Sequence, residues 1–272
     1  MPDEKRVLKL KKFNMKWIKP DKVCVFIGKR ETGKSWLVRD LLYHHRDIPV
    51  GTVISATESA NRFYGDMVPP SCIFDEFDKT IVKNIINRQK QIIKLKQDDP
   101  RYADVDERAF FILDDCLFDN TWTKDKFMRS CFMNGRHFKI LFLLTMQFAL
   151  GIPPNLRTNI DYIFILRETI MSNRKRLYEH YAGMFESFDA FSQTMDSCTE
   201  DFECMVIHNN AKTNRIEDQV FFYKANKKPD FHMCSEQFWK LSEEQYGSDE
   251  ENEQYTSSSR NKGKTMSIRK EY

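Results

Sequence analysis

The residues with the most obvious chemistry are Gly28-Lys29-Arg30-Glu31-Thr32-Gly33-Lys34-Ser35. They fit G-x-x-x-x-G-K-[ST], the pattern of a phosphate-binding loop. The spacing has a physical reason. Two glycines let the chain wrap so that its N–H groups point inward as an anion nest. A helix starting at the loop adds its positive N-terminal end. Lys34 supplies a point charge for the β- and γ-phosphates, and Ser35 offers a hydroxyl to Mg²⁺. The expected ligands are therefore ATP and Mg²⁺, with Gly28 through Ser35 as the nucleotide cradle.

A phosphate loop needs a carboxylate at the end of a neighbouring strand. Phe110-Phe111-Ile112-Leu113-Asp114-Asp115 is an apolar run ending in two acids. Asp114 is the expected magnesium ligand, acting through water. Asp115 is placed to orient or deprotonate an attacking water. The lysine–serine turn and the aspartate pair are expected to meet around one triphosphate, on adjacent parallel strands. Leu143-Leu144-Thr145-Met146-Gln147 ends in a polar tip. If its strand neighbours the loop strand, Gln147 senses the γ-phosphate and positions water. Asn134-Gly135-Arg136-His137 precedes that strand, so Arg136 belongs at the opposite edge of the sheet from its own nucleotide. From there it can reach a neighbour's γ-phosphate in a ring, as an arginine finger. Arg157 is the competing candidate. His137 reads as a packing or hydrogen-bonding residue.

These groups must be held by a scaffold. Val23 to Ile27 is a continuous apolar run, as a strand buried on both faces reads. Leu37, Val38, Leu41 and Leu42 give the following segment, 33–46, a helical period. Further strands are expected at 52–56, 109–113, 139–145, 162–166, 204–208 and 220–224. Helices are expected at 78–96, 124–134, 172–182 and 187–195. In the first of these, Ile81, Ile85, Ile92 and Leu95 form the apolar side. Strands alternating with helices predict an α/β fold with a mainly parallel sheet.

The 272 residues carry 43 basic and 40 acidic side chains, which excludes a histone-like polycation. The charge is unevenly spread. Residues 1–22 form a basic lead-in with an edge strand near 7–13, residues 23–241 form the main domain, and 242–272 reads as a disordered charged tail. The seven cysteines are scattered without a Cys-x-x-Cys pair, so a zinc ribbon is not expected and the thiols read as buried and free. No secretory signal is visible in MPDEKRVLKLKKF, and the longest apolar stretch, 140–152, is too short to span a membrane. A soluble, intracellular protein is expected. Candidate DNA-phosphate contacts are the lead-in, the Lys-rich face of 78–96, and Arg174-Lys175-Arg176.

The set GKRETGKS, FFILDD, NGRH, LLTMQ and GIPPNLRTNIDYIFIL resembles the poxvirus-type genome-packaging ATPases of nucleocytoplasmic large DNA viruses, in the FtsK/HerA group of P-loop motors. The match covers roughly residues 20–185, and NRKRLYEHYAGMF also looks like the family. The glutamine-tipped strand followed by GIPPNLRTNIDY is its most specific part.

The resemblance implies a three-layer P-loop NTPase of the ASCE/RecA-like type, with an extra strand between the loop strand and the acidic strand. It implies a homo-oligomeric ring, with six as the expected number, pumping double-stranded DNA into a capsid without reading its sequence. Its capsid partners and its place in the virus factory of the host cytoplasm and the virion follow from the same resemblance. By position, Lys34 and Ser35 bind nucleotide and magnesium, Asp114 binds magnesium, Asp115 is the acid/base, Gln147 the sensor and Arg136 the finger. The chain shows no separate DNA-recognition domain of the kind found in larger relatives. Two other readings share the loop: a phosphotransferase acting on a nucleoside or small molecule, and a non-enzymatic nucleotide switch. Asn226-Lys227-Lys228-Pro229 lacks the aspartate of a guanine motif, which argues against a GTPase.

Overall fold

The computed structural model of the chain describes residues 8–116, 121–148 and 151–245. Lys11–Lys12 is a short strand, β1, and Val23–Ile27 is β2. Helix α1 (Lys34–His44) follows the phosphate loop, then β3 (Gly51–Ser55), the short α2 (Glu58–Asn61) and β4 (Ile73–Phe74). The long α3 (Lys79–Asp98) leads to β5 (Ala109–Asp114), and α4 (Lys126–Asn134) leads to β6 (Ile140–Met146). The short α5 (Pro154–Arg157) leads to β7 (Tyr162–Ile165). Then come α6 (Met171–Tyr181), α7 (Phe188–Cys198), β8 (Glu203–His208) and β9 (Val220–Lys224). Residues 236–245 are helical.

Several helix starts are written in the sequence. Asp78 accepts the Thr80 N–H to open α3, Asp125 accepts those of Phe127 and Met128 to open α4, and Ser187 accepts that of Ala190 to open α7. Each satisfies N–H groups that have no partner inside the helix.

The strands form one sheet in the order β1-β9-β8-β7-β2-β6-β5-β3-β4. Pairing is parallel from β7 through β4, while β8 runs antiparallel to both β7 and β9. Every residue of β2 is buried, so alternate side chains feed two cores. Val23, Val25 and Ile27 face a layer containing Val82 and Ile86 of α3, Met128 and Phe132 of α4, and Leu177 of α6. Cys24 and Phe26 face α1 through Leu37, Val38, Leu41 and Leu42. Helices on both faces of a mostly parallel sheet make the three-layer α/β architecture.

Four particulars differ from the sequence reading. The residues alone suggest that the acidic strand β5 adjoins β2; instead β6 lies between them, the extra strand that the family resemblance implies. A continuous apolar run shows that a strand is buried, but not which strands flank it. In α3 the fully buried positions are Val82, Ile86 and Gln89, whereas Ile81 and Ile85 are half-buried at the side. The inward polar group, Gln89, is satisfied by the Glu107 and Phe138 carbonyls at 2.7 and 2.8 Å. The lead-in contributes to the core: Phe13 packs against β7 and β9 aromatics, Met15 and Ile18 are buried in the same cluster, and β1 pairs with β9. At the other end, Ser242 is buried and accepts the Ser71 N–H at 3.0 Å. The rest of the expected tail, 246–272, lies outside the described residues.

Candidate active site

The loop from Gly28 to Ser35 leaves the C-terminal end of β2 and turns into α1. Its glycines are required by the geometry. A Cβ on Gly28 would lie 2.7 Å from Thr32 Oγ1 and 2.8 Å from Leu166 Cβ, and Gly33 sits at φ 99°. Glu31 also has positive φ, 62°, so the loop carries backbone strain of the kind found at functional sites. Lys34 is buried, and its Nζ donates to the Gly28 and Lys29 carbonyls at 2.6 and 2.8 Å. Burial pushes its pKa down, while the Asp115 and Asp114 charges pull it up. β2, which leads into the loop, and β5, which ends in the aspartates, flank β6 in parallel, so the lysine and the aspartates share one sheet edge.

Asp114 ends β5 in register with Thr145 of β6. Its carboxylate is 5% exposed and accepts the Thr145 hydroxyl at 2.6 Å. Burial raises the Asp114 pKa above the ordinary carboxylate value, against the pull of Thr145 and Lys34. The buried Tyr64 hydroxyl lies toward the same carboxylate without completing a hydrogen bond, and burial followed by the Asp114 charge raises its pKa.

Asp115 sits at φ 50°, and its N–H donates to Thr145 Oγ1 at 3.0 Å. That turn aims its side chain away from the strand, where Oδ2 accepts from Gln147 Nε2. Lys34, Asp114, Asp115 and Gln147 thus converge at the C-terminal edge of β2, β6 and β5, the edge where ligands bind in open α/β sheets. Among the described residues no cluster of three or more His, Cys, Asp or Glu side chains is suited to hold a metal alone. The hydroxyl of Ser35 and the carboxylate of Asp114 instead suit a hard cation that takes its remaining ligands from phosphate and water.

Arg136 is elsewhere. It lies near the N-terminal ends of β2 and β7, largely exposed, with Nη2 3.6 Å from Asp161. The length of β2, about 17 Å at ~3.3 Å per residue, separates it from its own loop. Arg157 is at the same edge but turned inward, its Nη1 donating to the His180 carbonyl and its guanidinium 5.7 Å from the Tyr181 ring centroid. Of the basic DNA candidates, Arg174 is removed. It is buried and bonded to the Glu168 carbonyl, Ser192 and Asp196. Lys96 of α3 is likewise paired with Glu107, while Lys79, Lys83, Lys90 and Lys94 remain exposed.

Two contributors were not singled out from sequence. Thr145 lies inside the LLTMQ run, but nothing in the run marks it as the residue that ties both aspartates. Glu168 follows β7 without any motif. It accepts from Lys29 Nζ at 2.7 Å, the Ile170 N–H at 2.8 Å and Asn173 Nδ2 at 3.1 Å. Burial pushes its carboxyl up, but these donors together hold it below the usual range.

The fold, with its phosphate loop between β2 and α1, is that of a three-layer α/β P-loop NTPase. Among solved structures, the genome-packaging NTPase B204 of Sulfolobus turreted icosahedral virus 2, in complex with AMP, superposes with a TM-score of 0.52 at 13% identity, over 77% of this chain and 100% of that one. The pCW3 conjugation coupling protein TcpA, in monomer form with ATPgS, gives 0.57 at 13% identity, over 82% of this chain and 66% of that one. At that identity the likeness is one of fold. No protein-family model matches the chain.

Sequence relatives are closer. The chain is 43% identical over 218 residues to an uncharacterized protein of Acanthamoeba polyphaga mimivirus, covering 79% of this chain and 77% of that one. It is 42% identical over 203 residues to one of Invertebrate iridescent virus 6, covering 74% and 76%. The chain belongs to this family of viral proteins.

Proposed function

We propose that the chain is an ATP-hydrolysing motor that moves double-stranded DNA into a viral capsid, working as a ring of identical subunits. The observation that carries the reading is the joint arrangement of Lys34, Asp114, Asp115 and Gln147 at the end of three neighbouring strands. In it, Gly28 to Ser35 bind the triphosphate and Lys34 neutralises the β- and γ-phosphates. Ser35 and Asp114 would hold Mg²⁺, whose charge, when bound, stabilises the β- and γ-oxygens. Asp115 accepts the proton of the attacking water, and Gln147, hydrogen-bonded to Asp115, fixes the water's position and reports the γ-phosphate. An aspartate and a glutamine aimed together at one point suit water as acceptor better than a nucleoside.

Arg136 is proposed as the finger on a neighbour's nucleotide. Its exposure at the opposite sheet edge supports this over Arg157, which is folded inward. Lys79, Lys83, Lys90 and Lys94 along α3 are proposed as phosphate contacts, which need no base readout. Capsid components as partners, action in the cytoplasm of an infected cell, and a charged tail over 246–272 belong to the same proposal. Among the described residues no helix is long and apolar enough to cross a membrane.

The test is hydrolysis with and without duplex DNA, together with displacement of a blocking protein from the duplex end. Stimulated hydrolysis and ATP-dependent displacement are expected. Phosphate transfer to an acceptor without release of free phosphate, or ATP binding without turnover, would replace this reading with a kinase or a switch.

A further inference from the structure

On the β7 side of the phosphate loop, away from the aspartates, lies a cavity of about 410 Å³. Lys29, Arg30 and Thr32 form one wall, and Arg167 and Phe202 stand on the other. Phe202 is 65% exposed, the most exposed large apolar side chain among the described residues. It is held there by the backbone. Asp201 and Phe202 both have positive φ, 48° and 63°, conformations that residues other than glycine rarely adopt. The Glu203 N–H donates to the Glu200 carbonyl at 2.8 Å, which makes them the two central residues of a tight turn just before β8, at positions where glycine, asparagine or aspartate is usual and phenylalanine is not. Strain of this kind persists where the surrounding structure enforces it, and often at ligand clamps. The Phe202 ring reaches the loop: a Cβ on Gly33 would lie 3.5 Å from its Cδ1.

The direction of a bound nucleotide follows from the two sides of β2. β6 flanks it on one side and β7 on the other. The γ-phosphate end is fixed by Asp114, Asp115 and Gln147 on the β6 side. A triphosphate lying in the loop then carries its nucleoside away from them, toward the β7 rim. Two other exposed aromatics lie near the loop: Phe148 lines a separate cavity with Gly28 and Gln147, at the γ-phosphate end, and Trp36 packs edge-on against Phe63 at 6.4 Å. That contact turns it toward the segment after β3, on the aspartate side.

We propose that Phe202 is the base platform of this site, stacking the purine of ATP in the cavity between its ring and the loop. Arg167, whose guanidinium has no ion-pair partner among the described residues, supplies a cation on the same rim. The proposal rests on the nucleotide reading above and adds where the base lies. Stacking of a base on an aromatic face is strong enough to be seen when the ring is removed.

The experiment is equilibrium binding of ATP and of inorganic tripolyphosphate to the full chain, comparing wild type with Phe202→Ala and Phe202→Trp. Phe202→Ala is expected to weaken ATP binding about tenfold and to leave tripolyphosphate within about twofold, with Phe202→Trp restoring ATP. Tripolyphosphate binding also shows that the variant's loop is folded. Equal ATP affinity in all three proteins overturns the proposal, as does parallel loss of both ligands in Phe202→Ala, which would make the ring a support for the loop. A wild-type protein that binds neither ligand rejects the nucleotide reading itself, and the base platform with it.

Discussion

The Thr145 hydroxyl donates to Asp114 Oδ1 at 2.6 Å while its oxygen accepts the Asp115 N–H at 3.0 Å. One side chain on β6 thereby fixes the carboxylate of one acid and the backbone of the next. Removing it frees both. Thr145→Val keeps the shape but loses both hydrogen bonds. We expect about 10- to 100-fold slower hydrolysis, the usual effect of losing an outer partner of a metal ligand. Steady-state ATPase rates, with a circular dichroism melt to show the fold intact, check this. An unchanged rate would remove Thr145 from the site.

Asp114, proposed to hold the cation, also carries a stability cost. Its pKa is raised, chiefly by burial, so the folded chain takes up the proton before the unfolded chain does. Acidification through that raised pKa therefore favours folding, while the same protonation removes the charge a cation needs. Stability and activity should move in opposite directions across this window, which lies above the ordinary carboxylate range. Asp114→Asn should show both effects at neutral pH: a nucleotide-free protein more stable by ~0.5–2 kcal/mol, and almost no hydrolysis. Chemical denaturation and ATPase assays of the pair read the two signs.

Glu168 has the reverse linkage. Its pKa is depressed by Lys29 and its other donors despite burial. The stability it provides is present above the unfolded carboxylate pKa and is lost as pH falls through the lower folded value. Glu168→Gln should lower the melting temperature by about 2–4 °C at neutral pH, the shift for ~1 kcal/mol in a chain of this size. The two melting curves should converge at acidic pH. A difference that persists there would mean packing, not the Lys29 pair, is what the substitution disturbs.

If Arg136 acts on a neighbour's nucleotide, the active site is shared between subunits. Arg136→Ala and Asp115→Asn should each be inactive alone. Mixed, the two variants should regain part of the wild-type turnover, because some interfaces then combine an intact Asp115 with an intact Arg136. Mixtures no more active than the separate variants would place the arginine outside catalysis.

How much of this could be read from sequence depends on the range of the interaction. The phosphate loop is legible because its pattern is local: two glycines, the left-handed backbone at Gly33 and the lysine that follows, although the tight approach at Gly28 also involves the distant Leu166. The Asp114-Asp115 tip is legible for the same reason, since an apolar run ending in acids marks the edge of a sheet. Strand order is not local. The position of β6 between β2 and β5 follows from crossover packing, and only the family resemblance carried it. The buried face of α3 was misplaced by about one residue, because Ile81 and Ile85 are as apolar as Val82 and Ile86. The amide of Gln89 lies on the true inner face, where hydropathy alone would not place it. Glu168 and Phe202 were invisible because their partners, Lys29 and Gly33, are far away in the chain.

Lys34 and Asp115 are proposed to serve one triphosphate in two separable roles, binding and chemistry. Nucleotide affinity and single-turnover hydrolysis, measured on Lys34→Ala and Asp115→Asn, separate them. Lys34→Ala is expected to lose nucleotide affinity, whereas Asp115→Asn should bind ATP as the wild type does but hydrolyse it about 10²- to 10⁴-fold more slowly, the range for a lost general base. An Asp115→Asn protein that turns over ATP at the wild-type rate would contradict this division of roles.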